Sequence, residues 1–334
     1  MDKQKVLVTG GAGYIGSHAC KALQQAGFIP VTFDNLVTGW RDAVKFGPLE
    51  VGDLLNKGDL DRVFEKHSPV AIMHFAALSQ VGESMQKPGL YWQNNVMGSL
   101  NLVQAAVDHG CMDFVFSSTC ATYGNQDGVV LDEDSMQHPI NAYGASKRAV
   151  ENILGDFQAT YGLNQVIFRY FNVAGADPEA EIGEFHRPET HLIPLILQTA
   201  TGERKHITIY GTDYETRDGT CVRDYIHIND IARAHLLAAD YLADGGQSDF
   251  FNLGTETGNT VREVIQACER ITGKPIAVVE GERRPGDPPA LVASAKKARD
   301  VLGWIPQYQN LDDIITTAWQ WEQRKTSVLT PVAN

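Results

Sequence analysis

Residues 5–16 read KVLVTGGAGYIG. An apolar β-branched run passes through a group of glycines straight into a stretch of helical period, and few folds accept that succession. Gly11, Gly13 and Gly16 match the spacing of a dinucleotide-binding loop; Gly10, Gly13 and Gly16 match its wider-spaced variant. Glycine lets the chain turn tightly and lets backbone N–H groups approach a pyrophosphate, with the positive end of a helix dipole behind them. Cofactor contacts are therefore expected from Gly10, Gly13, Tyr14, Ile15 and Gly16. Asp34 closes the next apolar run, 18 residues after Gly16. A carboxylate there accepts from both adenosine ribose hydroxyls and repels a 2′-phosphate, which favours NAD over NADP.

The rest of the first half continues the pattern. Apolar runs at 5–9, 29–33, 69–75, 113–118 and 164–170 read as strands buried on both faces, with amphipathic stretches at about 14–26, 57–67, 92–110 and 141–160 between them. Such alternation predicts an α/β fold: a Rossmann-type doubly wound parallel sheet with helices on both faces. After Ala176 the pattern breaks. The segment ADPEAEIGEFHRPETH reads as a long polar loop, followed by a helix at about 191–201, a strand at 206–210, a helix after IHIN, the run DFFNLG, a helix near 260–272 and the loop RRPGDPPA. The expected division is a dinucleotide domain over 1–176 and a smaller mixed α/β substrate domain over 177–334, with about 220–253 a candidate return to the first sheet.

Charge and cysteine usage exclude other classes. With 28 Lys and Arg against 41 Asp and Glu, the formal charge is −13, and no basic run offers a nucleic-acid surface. The five cysteines are odd in number and scattered, so reduced thiols in a cytoplasmic protein are expected rather than a disulfide framework. The N-terminus lacks the apolar core of a signal peptide, and no stretch is long and apolar enough for a membrane span. The ten histidines show no HExxH or paired spacing, so no metal site is expected. His74 reads as a packing residue, and Trp304, Trp319 and Trp321 as core or interface.

Chemistry enters at NAYGASK, residues 141–147. Tyr143 and Lys147 stand four apart on a helical stretch and share one face. A tyrosine serves as a base at neutral pH only if its pKa falls from about 10 by about 3 units. A neighbouring ammonium and a positively charged nicotinamide ring are the expected sources of that shift. Upstream, DFVFSSTC ends a strand in the hydroxyls of Ser117, Ser118 and Thr119, where a doubly wound sheet places its ligand crevice. Alone, a helical Tyr/Lys pair is ordinarily a surface pair; after a dinucleotide loop and a strand-end hydroxyl cluster it reads as catalytic, with Thr119, Tyr143 and Lys147 as the set.

With these motifs in place the chain resembles the extended short-chain dehydrogenase/reductase superfamily and, within it, the UDP-glucose 4-epimerases. The resemblance runs nearly end to end through TGGAGYIGSH, DNLVTG, SSTCATYG, YGASK, RYFNVAGA, HLIP, IYGTDYETRDGTCVRDYIHI, FNLGT and RRPGDPPAL. It implies NAD contacts from Asp34, Asn35, Asp53, Leu54, Phe75, Ala76 and Asn94, with Tyr143, Lys147 and Tyr170 near the nicotinamide. It implies that Asn172, His191 and Leu192 approach the UDP, that Thr208 and Tyr210 flank the uracil, that Arg223 and Arg284 clamp the diphosphate, that Asp287 meets the uridine ribose and that Leu291 lines the sugar pocket. Two planar guanidiniums in an acidic chain suit bidentate diphosphate recognition on their own chemistry; the bland readings are an ion pair of Arg223 with Asp224 or Asp218 and core packing for Tyr210.

Some positions depart from the family pattern. Thr119 stands where many members carry serine, Ser79 where some carry lysine and Val173 where proline is common. The activity implied is interconversion of UDP-glucose and UDP-galactose through a 4-keto sugar, with UDP-N-acetylhexosamines as further candidates, by a homodimer built from the stretches near 92–110 and 143–160. Alternatives are epimerisation of UDP-xylose/UDP-arabinose, a nucleotide-sugar dehydratase or decarboxylase, and a non-catalytic NAD sensor. A 4,6-dehydratase would carry Asp-Glu where this chain has Cys120-Ala121, and a sensor would be expected to lose Tyr143 or Lys147.

Overall fold

The computed structural model describes residues 3–126, 130–284 and 287–328; Pro285 and Gly286, in the loop read at 283–290, lie outside them. Six strands of the first half are β1 (Lys5–Thr9), β2 (Ile29–Asp34), β3 (Leu49–Val51), β4 (Ala71–His74), β5 (Asp113–Ser117) and β6 (Asn164–Tyr170). With Asp249–Leu253 they form a seven-stranded sheet in the order Asp249–Leu253, β6, β5, β4, β1, β2, β3. Every neighbouring pair is parallel. Five of these strands are the apolar runs of the first half. β3 escapes that pattern because it is three residues long and lies at the sheet edge, where Val51 is half exposed.

The strands are apolar on both faces because both faces are covered. Leu7, Val31, Phe33, Ile72 and Phe114 point into one core with Leu102, Val103, Val150 and Leu154 of the helices. Val6, Val8, Met73, Val115 and Phe168 point into the other, against Ala19 and Leu23 of α1 (Tyr14–Gln25) and Ala234 and Ala238 of the helix Ile228–Ala243. Neighbours of β1 are β2 on one side and β4 on the other, so the direction of winding reverses between β1 and β4. Beyond the carboxyl ends of these two strands lies the crevice where doubly wound sheets take their ligands.

Outside the large sheet, the helices Leu192–Thr201, Val261–Thr272 and Leu311–Val328 enclose a separate core of Ile193, Ile196, Leu197, Val264, Cys268, Ile314 and Ile315. The sequence marks the start of Val261–Thr272 clearly. Thr260 accepts from the Glu263 N–H and the Glu263 side chain accepts from the Thr260 N–H, a complete capping box. The stretch read as one helix over 92–110 is two pieces, a π-helical segment Trp92–Met97 and the helix Gly98–Asp108, with a short helix Pro88–Tyr91 running into them. Trp304 and Trp321 are buried and Trp319 packs at the edge of the core. The described cysteines are all free, and no described helix is long and apolar enough to cross a membrane.

Candidate active site

The glycine loop sets the geometry. Gly10 has φ +72, and a Cβ there would lie 2.6 Å from the Ala76 nitrogen on the neighbouring strand end. A Cβ on Gly16 would lie 2.2 Å from the Gly10 carbonyl oxygen, so the helix can start this close to the turn only with glycine. No side chain caps the start of α1, and Gly13, Tyr14, Ile15 and Gly16 border a cavity of about 940 Å³. First-turn N–H groups with no capping partner are what an anionic pyrophosphate requires. Asp34 is buried beside them and is fixed by the N–H groups of Ala12 at 3.0 Å and Leu36 at 2.8 Å. Each of its oxygens keeps a further lone pair for a ribose hydroxyl. Asn35 donates to Asp53 at 3.0 Å across the same rim. These residues fit an adenine dinucleotide without a 2′-phosphate.

The candidate catalytic triplet of Thr119, Tyr143 and Lys147 is assembled by close backbone approach. Asn141 caps the helix Ala142–Tyr161 by accepting from the Gly144 N–H at 2.8 Å, which puts Tyr143 in the first turn. A Cβ on Gly144 would lie 2.4 Å from the Ala121 carbonyl oxygen. The glycine of YGASK thus lets the helix meet the turn that carries Thr119, and the Thr119 hydroxyl beside Tyr143 favours its ionised form. One turn on, Lys147 is buried and donates to the Ser117 carbonyl at 2.8 Å, with the Phe116 ring 4.8 Å away. Glu151, a further turn on, accepts from Arg169 at 2.7 Å in a buried ion pair. Ser117 and Tyr170 share a hydrogen bond between their hydroxyls.

The electrostatics correct one expectation. Burial pushes the Tyr143 phenol up to about 12, and the neighbouring Thr119 hydroxyl offsets only part of this. Burial also lowers Lys147 to about 7, opposed by the charge of Glu151. The Lys147 ammonium therefore does not by itself draw the phenol toward neutrality, because desolvation weakens the cation that was to do so. A positive charge brought by the cofactor is the remaining source.

The far end of the cavity is lined by the other half of the chain. Thr208 and Tyr210 lie on Ile207–Tyr210, paired in parallel with Val278–Gly281. Tyr210 is 40% exposed, so core packing does not explain it; the Arg284 guanidinium lies 4.0 Å over its ring. Arg223 pairs with Asp287, 64 residues on, and not with Asp224 or Asp218. Leu291 lies opposite Arg223 on a parallel strand, and Asn172 opposite Tyr225 on another. Every residue assigned above to cofactor, catalysis or substrate borders this one cavity. Sequence reading missed Glu184, Phe185 and His186, which border it from the loop after Ala176. Their spacing follows no secondary-structure period, and only the folded loop brings them there. His74 sits below the site, bridged to Thr9 and Ser99 at 2.7 Å each, and burial holds it neutral by lowering it to about 3.

Comparison with known proteins agrees with this geometry. Residues 6–254 match the model of the NAD dependent epimerase/dehydratase family. A UDP-glucose 4-epimerase of Rhizobium leguminosarum bv. trifolii is 52% identical over 324 residues, 97% of this chain and 99% of that protein. The crystal structure of a Brucella ovis UDP-glucose 4-epimerase in complex with NAD superposes with a TM-score of 0.93 at 46% identity, covering 96% of this chain and 98% of that one. A Bifidobacterium longum UDP-glucose 4-epimerase in complex with NAD+ and UDP superposes with a TM-score of 0.92 at 34% identity, covering 98% of this chain and 100% of the other. A glycine cradle backed by Asp34, a Tyr143–Lys147 pair on one helix and this near full-length likeness place the chain in the NAD dependent epimerase/dehydratase family.

Proposed function

We propose that the chain interconverts UDP-glucose and UDP-galactose, with NAD held in the Gly10–Gly16 cradle and the nucleotide end of the sugar held by Arg223, Arg284 and Tyr210. The observation that carries this reading is that Thr119, Tyr143 and Lys147 share one cavity with those three residues. NAD supplies reversible hydride acceptance from sugar C4. Tyr143, assisted by the Thr119 hydroxyl, takes the proton of the 4-hydroxyl as C4 becomes a ketone, and returns it when the other face of the sugar is reduced. Lys147 orients the cofactor ribose from its anchor on Ser117. Arg223 and Arg284 hold the diphosphate, Thr208 and Tyr210 the uracil, Asp287 the uridine ribose, and Asn172, His191 and Leu192 the nucleotide edge. Binding energy far from C4 thus leaves the sugar free to turn between half-reactions.

In this reading residues 1–176, with the segment of about 220–253 returning to the large sheet, carry the cofactor, and the rest of 177–334, with Asn172, holds the UDP-sugar. A dehydratase would need an acid/base pair where Cys120 and Ala121 border the cavity. The five free cysteines favour a cytoplasmic setting. Val81, Met85, Leu90, Trp92 and Met97 are exposed around one helical region, which favours a homodimer through it. The test is incubation of the purified chain with UDP-galactose and no added cofactor. UDP-glucose as sole product supports the reading; a 4-keto-6-deoxy product or no product overturns it.

A further inference from the structure

The loop after Ala176 packs against α1 and brings four side chains to a point. His191 Nδ1 lies 2.8 Å from Glu184 Oε1 and 3.1 Å from Glu189 Oε1. His186 Nδ1 lies 3.3 Å from Glu184 Oε1 and 3.6 Å from Glu189 Oε2. Donor atoms around a tetrahedral ion with bonds of about 2.0–2.1 Å stand about 3.3–3.4 Å apart, and the observed separations fall on both sides of that value. We propose that Glu184, His186, Glu189 and His191 form a binding site for a divalent transition metal, with zinc the best match to two imidazole nitrogens and two carboxylate oxygens.

Three observations distinguish this cluster from an ordinary group of ion pairs. His186 Nδ1 is buried with no partner in hydrogen-bond geometry, although it lies 3.3 Å from Glu184 Oε1 and 3.6 Å from Glu189 Oε2. Both carboxylate side chains are 7% exposed, and among the described residues neither forms an ion pair with a lysine or arginine. The neighbouring acidic cluster of Asp177, Glu179 and Glu181 is different: Lys21 Nζ sits among its carboxylates at 2.7–2.8 Å, so that site already holds a cation. Around the proposed site the ligands are braced from outside. Glu189 Oε1 accepts from the N–H groups of Thr190 at 2.8 Å and His191 at 2.9 Å, and Trp321 Nε1 donates to the Glu184 carbonyl at 2.8 Å.

Charge supports the same occupant. With both imidazoles deprotonated the cluster carries −2, which a divalent ion cancels, and binding must displace the protons that the two carboxylates hold on the imidazoles. Four protein ligands leave no open position, the pattern of a structural rather than a catalytic ion. The ion would tie the loop to His191, which caps the helix Leu192–Thr201 at the cavity edge. It would therefore set the position of Leu192 without taking part in the chemistry.

The test uses the full chain with its cofactor, stripped with chelator and titrated with Co2+, then Zn2+. The expected result is uptake of one Co2+ per chain with the intense visible absorption of tetrahedral Co2+, abolished by one equivalent of Zn2+, and a rise in Tm with Zn2+. His186→Ala and the near-isosteric Glu189→Gln should each lose saturable uptake while still retaining cofactor. Absence of saturable uptake by folded wild type, a weak octahedral spectrum, or uptake unchanged in both variants would overturn the proposal.

Discussion

Lys147 Nζ is hydrogen-bonded to the Ser117 carbonyl at the end of β5, 2.8 Å away, so the ammonium is tied to the sheet rather than left free to pair with Tyr143. Burial holds Lys147 near 7 and Tyr143 near 12. Without a further cation, Tyr143 is a phenol at neutral pH. In cofactor-free protein its phenolate, read as the ultraviolet difference between wild type and Tyr143→Phe, is expected only as pH approaches about 12. Loading with NAD should move that titration down by at least about 2 units, because an opposite charge within a few ångströms favours the ionised form. An unchanged titration on loading would contradict the role given to the cofactor's charge.

Four buried histidines, His18, His74, His227 and His235, make acid destabilising. His74 and His227 are lowered to about 3 and His18 and His235 to about 4, in each case chiefly by burial. The unfolded chain binds these protons below about 6.5 while the native state does not, so stability falls as pH drops through that value toward 4. Near pH 5 each such group contributes a slope of about 1.4 kcal/mol per pH unit. Denaturant unfolding from pH 7 to 5 should show this fall, and His74→Asn should flatten it by about one proton even if it lowers stability at pH 7. A slope identical in the variant would mean that His74 does not stay neutral.

Arg223 and Asp287 face one another where the diphosphate and ribose are assigned. Arg223→Met should raise the KM for UDP-galactose by about 10–100-fold, since a charge-assisted hydrogen bond contributes about 1.5–3 kcal/mol. Retained cofactor should be unchanged, because Arg223 lies at the other end of the cavity from the glycine loop. Loss of NAD together with the rise in KM would point to general unfolding instead.

Sugar size should be read at Leu291, beside Arg223 on the parallel strand. Leucine leaves room that a tyrosine ring would fill, so wild type is expected to accept UDP-N-acetylglucosamine as well as UDP-glucose. Leu291→Tyr should lower kcat/KM for the N-acetyl substrate by about 10–100-fold relative to UDP-glucose, the range for steric rejection in a packed pocket. An unchanged ratio would remove Leu291 as the gate.

The large sheet was legible because strands buried on both faces write themselves as continuous apolar runs, and Gly10–Gly16 with Asp34 carry their chemistry within local spacing. Tyr143 and Lys147 were legible for the same reason, being one helical turn apart. What stayed hidden depends on partners distant in sequence or on short elements. β3 is too short to show a period, and the π-helical turn at Trp92–Met97, which presents Asn94 to the cavity, has no signal in an otherwise helical stretch. The pairing of Arg223 with Asp287 spans 64 residues. Glu184, His186, Glu189 and His191 fall within one loop, but no period relates them, and only its folded path brings their donor atoms together.

The most direct measurement uses UDP-galactose deuterated at sugar C4, incubated with purified protein and no added cofactor. If Tyr143 takes the hydroxyl proton while the C4 hydrogen leaves for bound NAD and returns to the same carbon, UDP-glucose should form with deuterium retained at C4, and Tyr143→Phe should slow this by about 10²–10⁴-fold. Loss of the label to solvent, or no UDP-glucose from protein that carries NAD, would contradict the account.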